Sequence, residues 1–220
     1  MQGHELIDTL HSLTAHRTVA AVMRHAARHP IIDPREPLAA ELTTEGEQAA
    51  EAFGSKITGF DHLRLFHSPV KRCQQTAECV AAGAARAGVA VELIGPQPEL
   101  GVAYILNQVE TGRLSGVHGE HFVRLWFTNQ VPGEIIERAP AIIRRKVAYV
   151  AARLHEPAAV AGRRLDLHVS HDWNVIMLRE LLLGVRHEEA GWAHFLDGVA
   201  FTAEAEKLRA FYREREAAVS

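Results

Sequence analysis

The chain alternates between short apolar runs that stop at charged residues and longer stretches in which apolar positions return at helical spacing. Runs of roughly four to eight apolar residues suit buried strands, and a period near 3.6 suits helices with one buried face. Leu6, Ile7, Leu10 and Leu13 have the helical spacing and predict a short amphipathic helix. It leads into a first strand from about Thr18, whose apolar part Val19-Ala20-Ala21-Val22-Met23 stops abruptly at Arg24-His25-Ala26-Ala27-Arg28-His29-Pro30. Pro30, Pro34 and Pro37 then enforce an irregular loop. Helix resumes in Leu42-Thr43-Thr44-Glu45-Gly46-Glu47-Gln48, where Thr43 or Thr44 can cap and a carboxylate or amide three residues on can reach back, and it runs to about Ile57.

Leu63 to Phe66 predicts a second strand, followed at once by His67-Ser68-Pro69-Val70-Lys71-Arg72. Serine before proline marks a helix start, with Pro69 in the first turn and Arg72 beside it. Gly88 ends this helix after about Ala87, and Val89 to Ile94 branches and alternates like a third strand. Residues 95–139, rich in proline and glycine around a helical piece near His121 to Phe127, read as an insertion over whatever site the strands form. Pro140 to Leu154 reads as a crossover helix back to the sheet. The fourth strand is Leu165 to Ser170, running into His171-Asp172 and a helix from Trp173 to Leu183. Gly198 to Thr202 and Leu208 to Tyr212 close the chain as a strand pair, the latter also readable as a terminal helix. Alternating strands and helices predict an α/β fold in a single domain, 1–220.

At 220 residues and 47% hydrophobic content, the chain can bury a sizeable core. A net charge of -3 does not suggest a nucleic-acid partner. The start carries no basic segment followed by an apolar one, and no run reaches membrane-spanning length, so the expectation is a soluble, cytoplasmic protein without a membrane partner. Cys73 and Cys79 fall on one predicted helix with diverging side chains, which argues against a disulfide. Fourteen histidines raise the question of metal. The pairs His25/His29, His118/His121 and His168/His171 have suitable spacing, but zinc needs further ligands and the cysteines offer no chelating pair. Metal is therefore the lesser reading, and His4, His11, His16, His62, His155, His187 and His194 read as surface groups.

Three charged clusters each follow a predicted strand: Arg24, His25 and Arg28 after the first, Arg72 after the second, His171 and Asp172 after the fourth. Taken alone, the first reads equally well as a basic helix start. If the strands are parallel neighbours, however, their carboxyl ends share one edge and the three clusters meet there, where open α/β sheets bind ligands. Guanidinium groups bind phosphate oxygens in paired, charge-assisted hydrogen bonds, a neutral imidazole attacks phosphorus, and a carboxyl group beside a bound anion can supply a leaving group's proton. His25 fits the nucleophile, as an exposed loop imidazole whose loss spares the fold, and Asp172 fits the acid.

The segments Arg24-His25-Ala26-Ala27-Arg28-His29-Pro30, Leu42-Thr43-Thr44-Glu45-Gly46-Glu47-Gln48, Ser68-Pro69-Val70-Lys71-Arg72-Cys73-Gln74-Gln75-Thr76-Ala77 and His171-Asp172 resemble, in order, the motifs of the histidine phosphatase superfamily, also called phosphoglycerate mutase-like. The resemblance implies a three-layer α/β/α sandwich with a mostly parallel sheet and a phosphohistidine intermediate on His25. It places Arg24, Arg28, Arg72 and His171 in the phosphate pocket and requires neither metal nor cofactor. The arginine-histidine-x-x-arginine-x-proline form and the histidine-aspartate pair look like the acid phosphatase branch, in which Asp172 is the proton donor. Ala26 departs from the usual glycine, and the disulfides and large helical insertion of secreted members are missing. In the small intracellular branch the acid is a glutamate of the insertion, for which Glu99 is the nearest candidate. The expected function is hydrolysis of a small phosphorylated substrate. The rivals are a phosphoglycerate mutase-type phosphotransferase and a silent phosphate-binding module, and the oligomeric state is open.

Overall fold

Along the first strand, Val19, Ala21 and Met23 face one way and Ala20 and Val22 the other, and both sets are buried. Such a strand needs a layer of helices on each face, and the computed structural model, which describes residues 3–32, 36–157, 161–204 and 207–219, has them. Pro34 of the predicted loop lies outside the described residues. In chain order the elements are α1 (His4–Ser12), β1 (Thr18–Arg24), α2 (Thr44–Gly54), β2 (His62–His67), α3 (Lys71–Arg86), β3 (Ala90–Pro96), α4 (Gln108–His118), α5 (His121–Phe127), α6 (Ala139–His155), β4 (Arg164–Ser170), α7 (Asp172–Leu183), α8 (His187–Ala190), β5 (Gly198–Glu204), β6 (Lys207–Tyr212) and β7 (Arg215–Val219).

The seven strands form one sheet in the order β3-β2-β4-β1-β5-β6-β7. The first four are mutually parallel, and the last three add an antiparallel flank. One face packs on α1, α2 and α3 through Leu6, Phe53, Val80, Leu165 and their neighbours. The other packs on α5, α6 and α7 through Phe122, Trp126, Val150 and Ile176. The α/β/α layering and the parallel core match the sequence reading.

Several expectations are corrected. Leu208 to Tyr212 is the strand of its two readings, but it also pairs with a further strand, β7, that the polar run after it did not announce. The 95–139 segment holds a second helix, α4, besides the expected one. Thr43 caps α2, its Oγ1 accepting from the Gly46 amide at 3.0 Å. The third residue of that helix is thus a glycine, which has no side chain to reach back. Helix α3 begins at Lys71, with Pro69 before the cap rather than in the first turn. Cys73 and Cys79 share α3 and are both free thiols.

The β4 sequence Arg164-Leu165-Asp166-Leu167-His168-Val169-Ser170 alternates as if one face met water, yet every residue is buried. Its polar face lies under α6. There, Arg64 of β2 grips Asp166 with two bonds of 2.8 and 2.7 Å, Arg164 approaches the same carboxylate at 3.1 Å, and Tyr149 reaches His168 Nδ1 at 3.2 Å. Asp166 is fully buried between two guanidinium groups, so Asp166→Ala removes the carboxylate that Arg164 approaches and leaves Arg64 with Glu156 alone. It is expected to cost about 3–5 kcal/mol in urea unfolding. Burial, with Arg64 and Arg153 nearby, pushes the His168 imidazole down to about 3. The unfolded chain therefore takes up this proton near pH 6.5 while the folded protein does not, and stability falls as pH drops from about 6.5 towards 3. His168→Asn is expected to flatten that acid-side loss, measured as unfolding midpoints at pH 6.5 and pH 4.

Candidate active site

The carboxyl ends of β2, β4 and β1 lie side by side, as the sequence reading required. The Arg24 amide donates to the Asp197 carbonyl at 2.8 Å, the His25 amide to the Ser170 carbonyl at 3.0 Å and the Ser68 amide to the Val169 carbonyl at 2.9 Å, so each chain leaves its strand against a neighbour. Beyond His25, Ala26 is pinned by its amide to Thr76 Oγ1 of α3 at 3.1 Å. The Ala27 carbonyl accepts from the Thr43 amide at 3.1 Å, and a side chain at Gly46 would collide with that carbonyl. The cap of α2 thus holds the histidine loop, and position 46 must be glycine for the close approach.

His25 is 2% exposed, not the exposed loop imidazole expected. Its Nδ1 lies 2.7 Å from the Ala26 carbonyl and therefore carries the proton, while Nε2 accepts from Arg72 Nε at 3.0 Å. Burial, reinforced by Arg72, His171 and Arg24, holds His25 well below the usual histidine range, so the ring is neutral with its Nε2 lone pair directed into the site. His171 is also buried, with its ring centre 5.7 Å from that of His25. Arg72 Nη2 reaches His171 Nδ1 at 3.4 Å, and the opposite nitrogen donates to Ser68 Oγ at 2.9 Å. Burial and Arg72 push His171 down to about 3. Arg72 Nη1 also donates to the Pro37 and Leu38 carbonyls at 3.1 and 3.4 Å, tying the loop after β1 to the site.

Arg24 donates to the Ala193 carbonyl at 2.6 Å, stacks 4.0 Å from the centre of the Phe195 ring and pairs with Asp172 Oδ2 at 3.3 Å. The same oxygen accepts from Trp192 Nε1 at 3.0 Å, and Oδ1 accepts from the Trp173 amide at 2.9 Å. Burial raises the Asp172 pKa, but Arg24, Trp192, His25 and the Trp173 amide together outweigh it and hold the carboxyl below its usual range. In the empty site Asp172 is ionised. Arg28 is half-buried and donates to the His29 carbonyl at 2.8 Å, and its charge is felt at both Arg24 and Arg72. Glu99 is exposed on the turn Pro98–Leu100, and its backbone carbonyl accepts from the buried Lys146 at 2.8 Å.

His25, Arg28, Arg72, His171 and Asp172 line one cavity of about 720 Å³, closed on the far side by α4. Glu99 does not line it, although Pro98 and Gly101 do. Another cavity, of about 740 Å³, lies between α1, the end of α7 and the β6–β7 turn and holds none of these residues. Among the described residues, one group of three metal-ligand types is close enough to share an ion: Glu180, His187 and Glu188. It includes none of the histidine pairs singled out in the sequence, and Arg124 already bonds both carboxylates at 2.6 Å. His187, read as a surface group, is buried. Sequence reasoning missed Trp192, Ala193 and Phe195, which hold Arg24 and Asp172 from a loop with no regular pattern. It also gave no role to Ser68 and Thr76, although both sit inside a recognised motif.

A neutral imidazole among guanidinium groups, with a carboxylate across the cavity, suits an anionic ligand. Residues 16–93, which carry His25, the Thr43 cap and Arg72, match the model of the histidine phosphatase superfamily (branch 1). Over those residues the chain is similar to the histidine phosphatase superfamily. The match stops before His171-Asp172, so the likeness of that pair to the acid phosphatase branch rests on the motifs alone.

Solved structures with this phosphoglycerate mutase-like fold include Bacillus stearothermophilus YhfR, at 15% identity and a TM-score of 0.59 over 87% of this chain and 94% of that one. A mycobacterial glucosyl-3-phosphoglycerate phosphatase, solved with inorganic phosphate, gives 18%, 0.56, 89% and 96% for the same measures. Phosphoserine phosphatase of Entamoeba histolytica, solved as a mutant with phosphoserine, gives 14%, 0.53, 92% and 95%. At these identities the likeness is one of fold. No curated protein matches the chain by sequence. Among the described residues, no helix is long and apolar enough to cross a membrane.

Proposed function

We propose that the chain is a member of the histidine phosphatase superfamily and hydrolyses a phosphomonoester through a phosphohistidine on His25. The observation that carries the reading is the state of that imidazole: buried, neutral, Nδ1 tied to the Ala26 carbonyl and Nε2 accepting from Arg72 at the wall of a cavity that Arg28 and Arg72 line. The Nε2 lone pair attacks phosphorus, the phosphorus–oxygen ester bond breaks, and the leaving alkoxide takes a proton held between the phosphate and Asp172. Arg28 and Arg72, which line the cavity, balance the charge on the phosphoryl oxygens, with Arg24 adding its charge from beside Asp172 and neutral His171 at the cavity wall. Water then attacks phosphorus and gives its proton to the Asp172 carboxylate, and phosphate leaves with His25 restored. Asp172 is preferred over Glu99 as acid because it lines the cavity and Glu99 does not.

The test is release of inorganic phosphate from a panel of phosphomonoesters, with and without a strong chelator. The account expects hydrolysis that the chelator leaves unchanged, because arginines supply the positive charge. Loss of activity restored by zinc or magnesium contradicts it. Isomerisation of phosphoglycerate without phosphate release assigns the mutase chemistry instead, and no turnover of any ester leaves a phosphate-binding module.

A further inference from the structure

Among the described residues, six of the nine large apolar side chains left exposed fall in two segments: Ile31, Ile32 and Leu38 after β1, and Leu106, Val109 and Val117 in and just before α4; the other three are Leu93 and Ile94 of β3 and Leu181 of α7. Both segments border the cavity over His25. Ile31 and Leu38 line it on one side, and Ile105, Gln108, Thr111 and Ser115 on the other. Helix α4 has 11 residues, of which Thr111 is buried and Leu114 packs partly buried against the core, so its apolar anchor is a single side chain rather than a stripe. Its own side chains thus hold it only lightly, while Val109 stands 80% and Ile32 94% exposed.

The charge distribution is equally one-sided. Among the described residues lining the cavity, the charged and ionisable groups are His25, Arg28, Arg72, His171 and Asp172, all at the phosphate end. The rest of the wall is apolar, with Val70, Val102, Ile105 and Trp173 prominent, and its polar groups are neutral. A phosphate fills only a small part of about 720 Å³. A substrate body bearing an ammonium or carboxylate would enter this wall without a described counter-charge, which opposes its desolvation. An apolar body would gain roughly fourfold in binding for each methylene fully removed from water.

We infer that the substrate is a phosphomonoester of an uncharged, mainly apolar alcohol, of alkyl or aryl type, whose body lies between the side chains of Ile31 and Leu38 on one side and α4 on the other. The inference rests on the phosphatase reading of the site, and its test is chosen to separate the two. Alkylphosphonates carry a phosphorus–carbon bond that this chemistry does not hydrolyse, so their binding reports recognition apart from turnover. Titration calorimetry of the full chain with ethyl-, butyl- and octylphosphonate is expected to show Kd falling at least roughly tenfold from ethyl to octyl. A phosphonate bearing an amino acid end is expected to bind no better than ethylphosphonate. Ile31→Asp combined with Leu38→Asp is expected to shrink the octyl-to-ethyl ratio towards one. A Kd independent of chain length, or tighter binding of the charged body, overturns the inference while leaving phosphatase activity to stand. Chain-length-independent binding together with a concentration-dependent dimer assigns the apolar segments to a second copy of the chain and also overturns it. Failure of every phosphonate and of inorganic phosphate to bind overturns the phosphatase reading with it.

Discussion

His25→Ala is expected to lower turnover of phosphomonoesters by roughly 10⁴-fold or more, the scale on which enzymes lose activity when a covalent nucleophile is removed. The fold is expected to survive for a reason opposite to the one the sequence suggested. His25 is buried, but it is held neutral against guanidinium groups, and its removal takes away a strained polar group rather than an apolar anchor. Steady-state kinetics together with a thermal melt check both halves. Parental activity in a well-folded variant contradicts the covalent route.

Asp172→Asn is expected to separate substrates by leaving group. An alkoxide needs a proton as it departs and nitrophenolate does not, so the variant should lose roughly 10²–10⁴-fold on an alkyl phosphate and far less on nitrophenyl phosphate. The pH profile follows from the charges. Asp172 is held ionised in the empty site, so the leaving-group proton enters with the phosphate monoanion, whose second pKa is about 6. In the parent, kcat/KM on alkyl phosphates is expected to fall as pH rises above about 6, because the dianion brings no proton. On the acid side His25 stays neutral well below pH 6.5, so no loss is expected until the pH is clearly lower. If Glu99→Gln shows the leaving-group dependence and Asp172→Asn does not, the acid is Glu99 and the cavity geometry has been misread.

The pattern of the chain revealed the site better than its surroundings. β1, β2 and β4 announce themselves because a strand covered on both faces must be apolar or internally paired, and each stops where charge begins. Parallel pairing then brings Arg24, His25, Arg72, His171 and Asp172 to one edge, a consequence of topology rather than of any single motif. The polar face of β4 was not legible, because the partner that makes Asp166 tolerable in the core, Arg64, stands about a hundred residues earlier. Helix α4 escaped because it has no buried stripe, and β7 because an edge strand of alternating charge resembles a polar tail. Trp192 and Phe195 escaped because loop aromatics acquire meaning only when the chain folds them onto Arg24 and Asp172.

The central claim is that phosphate passes through His25, and rapid mixing with labelled substrate followed by an alkaline quench, which preserves phosphohistidine, tests it most directly. Peptide mass mapping of the quenched protein is expected to place one phosphate on His25, and the label is expected to be absent from His25→Ala. Label on another residue, or burst-phase phosphate release with no protein-bound phosphate at any time, contradicts the account.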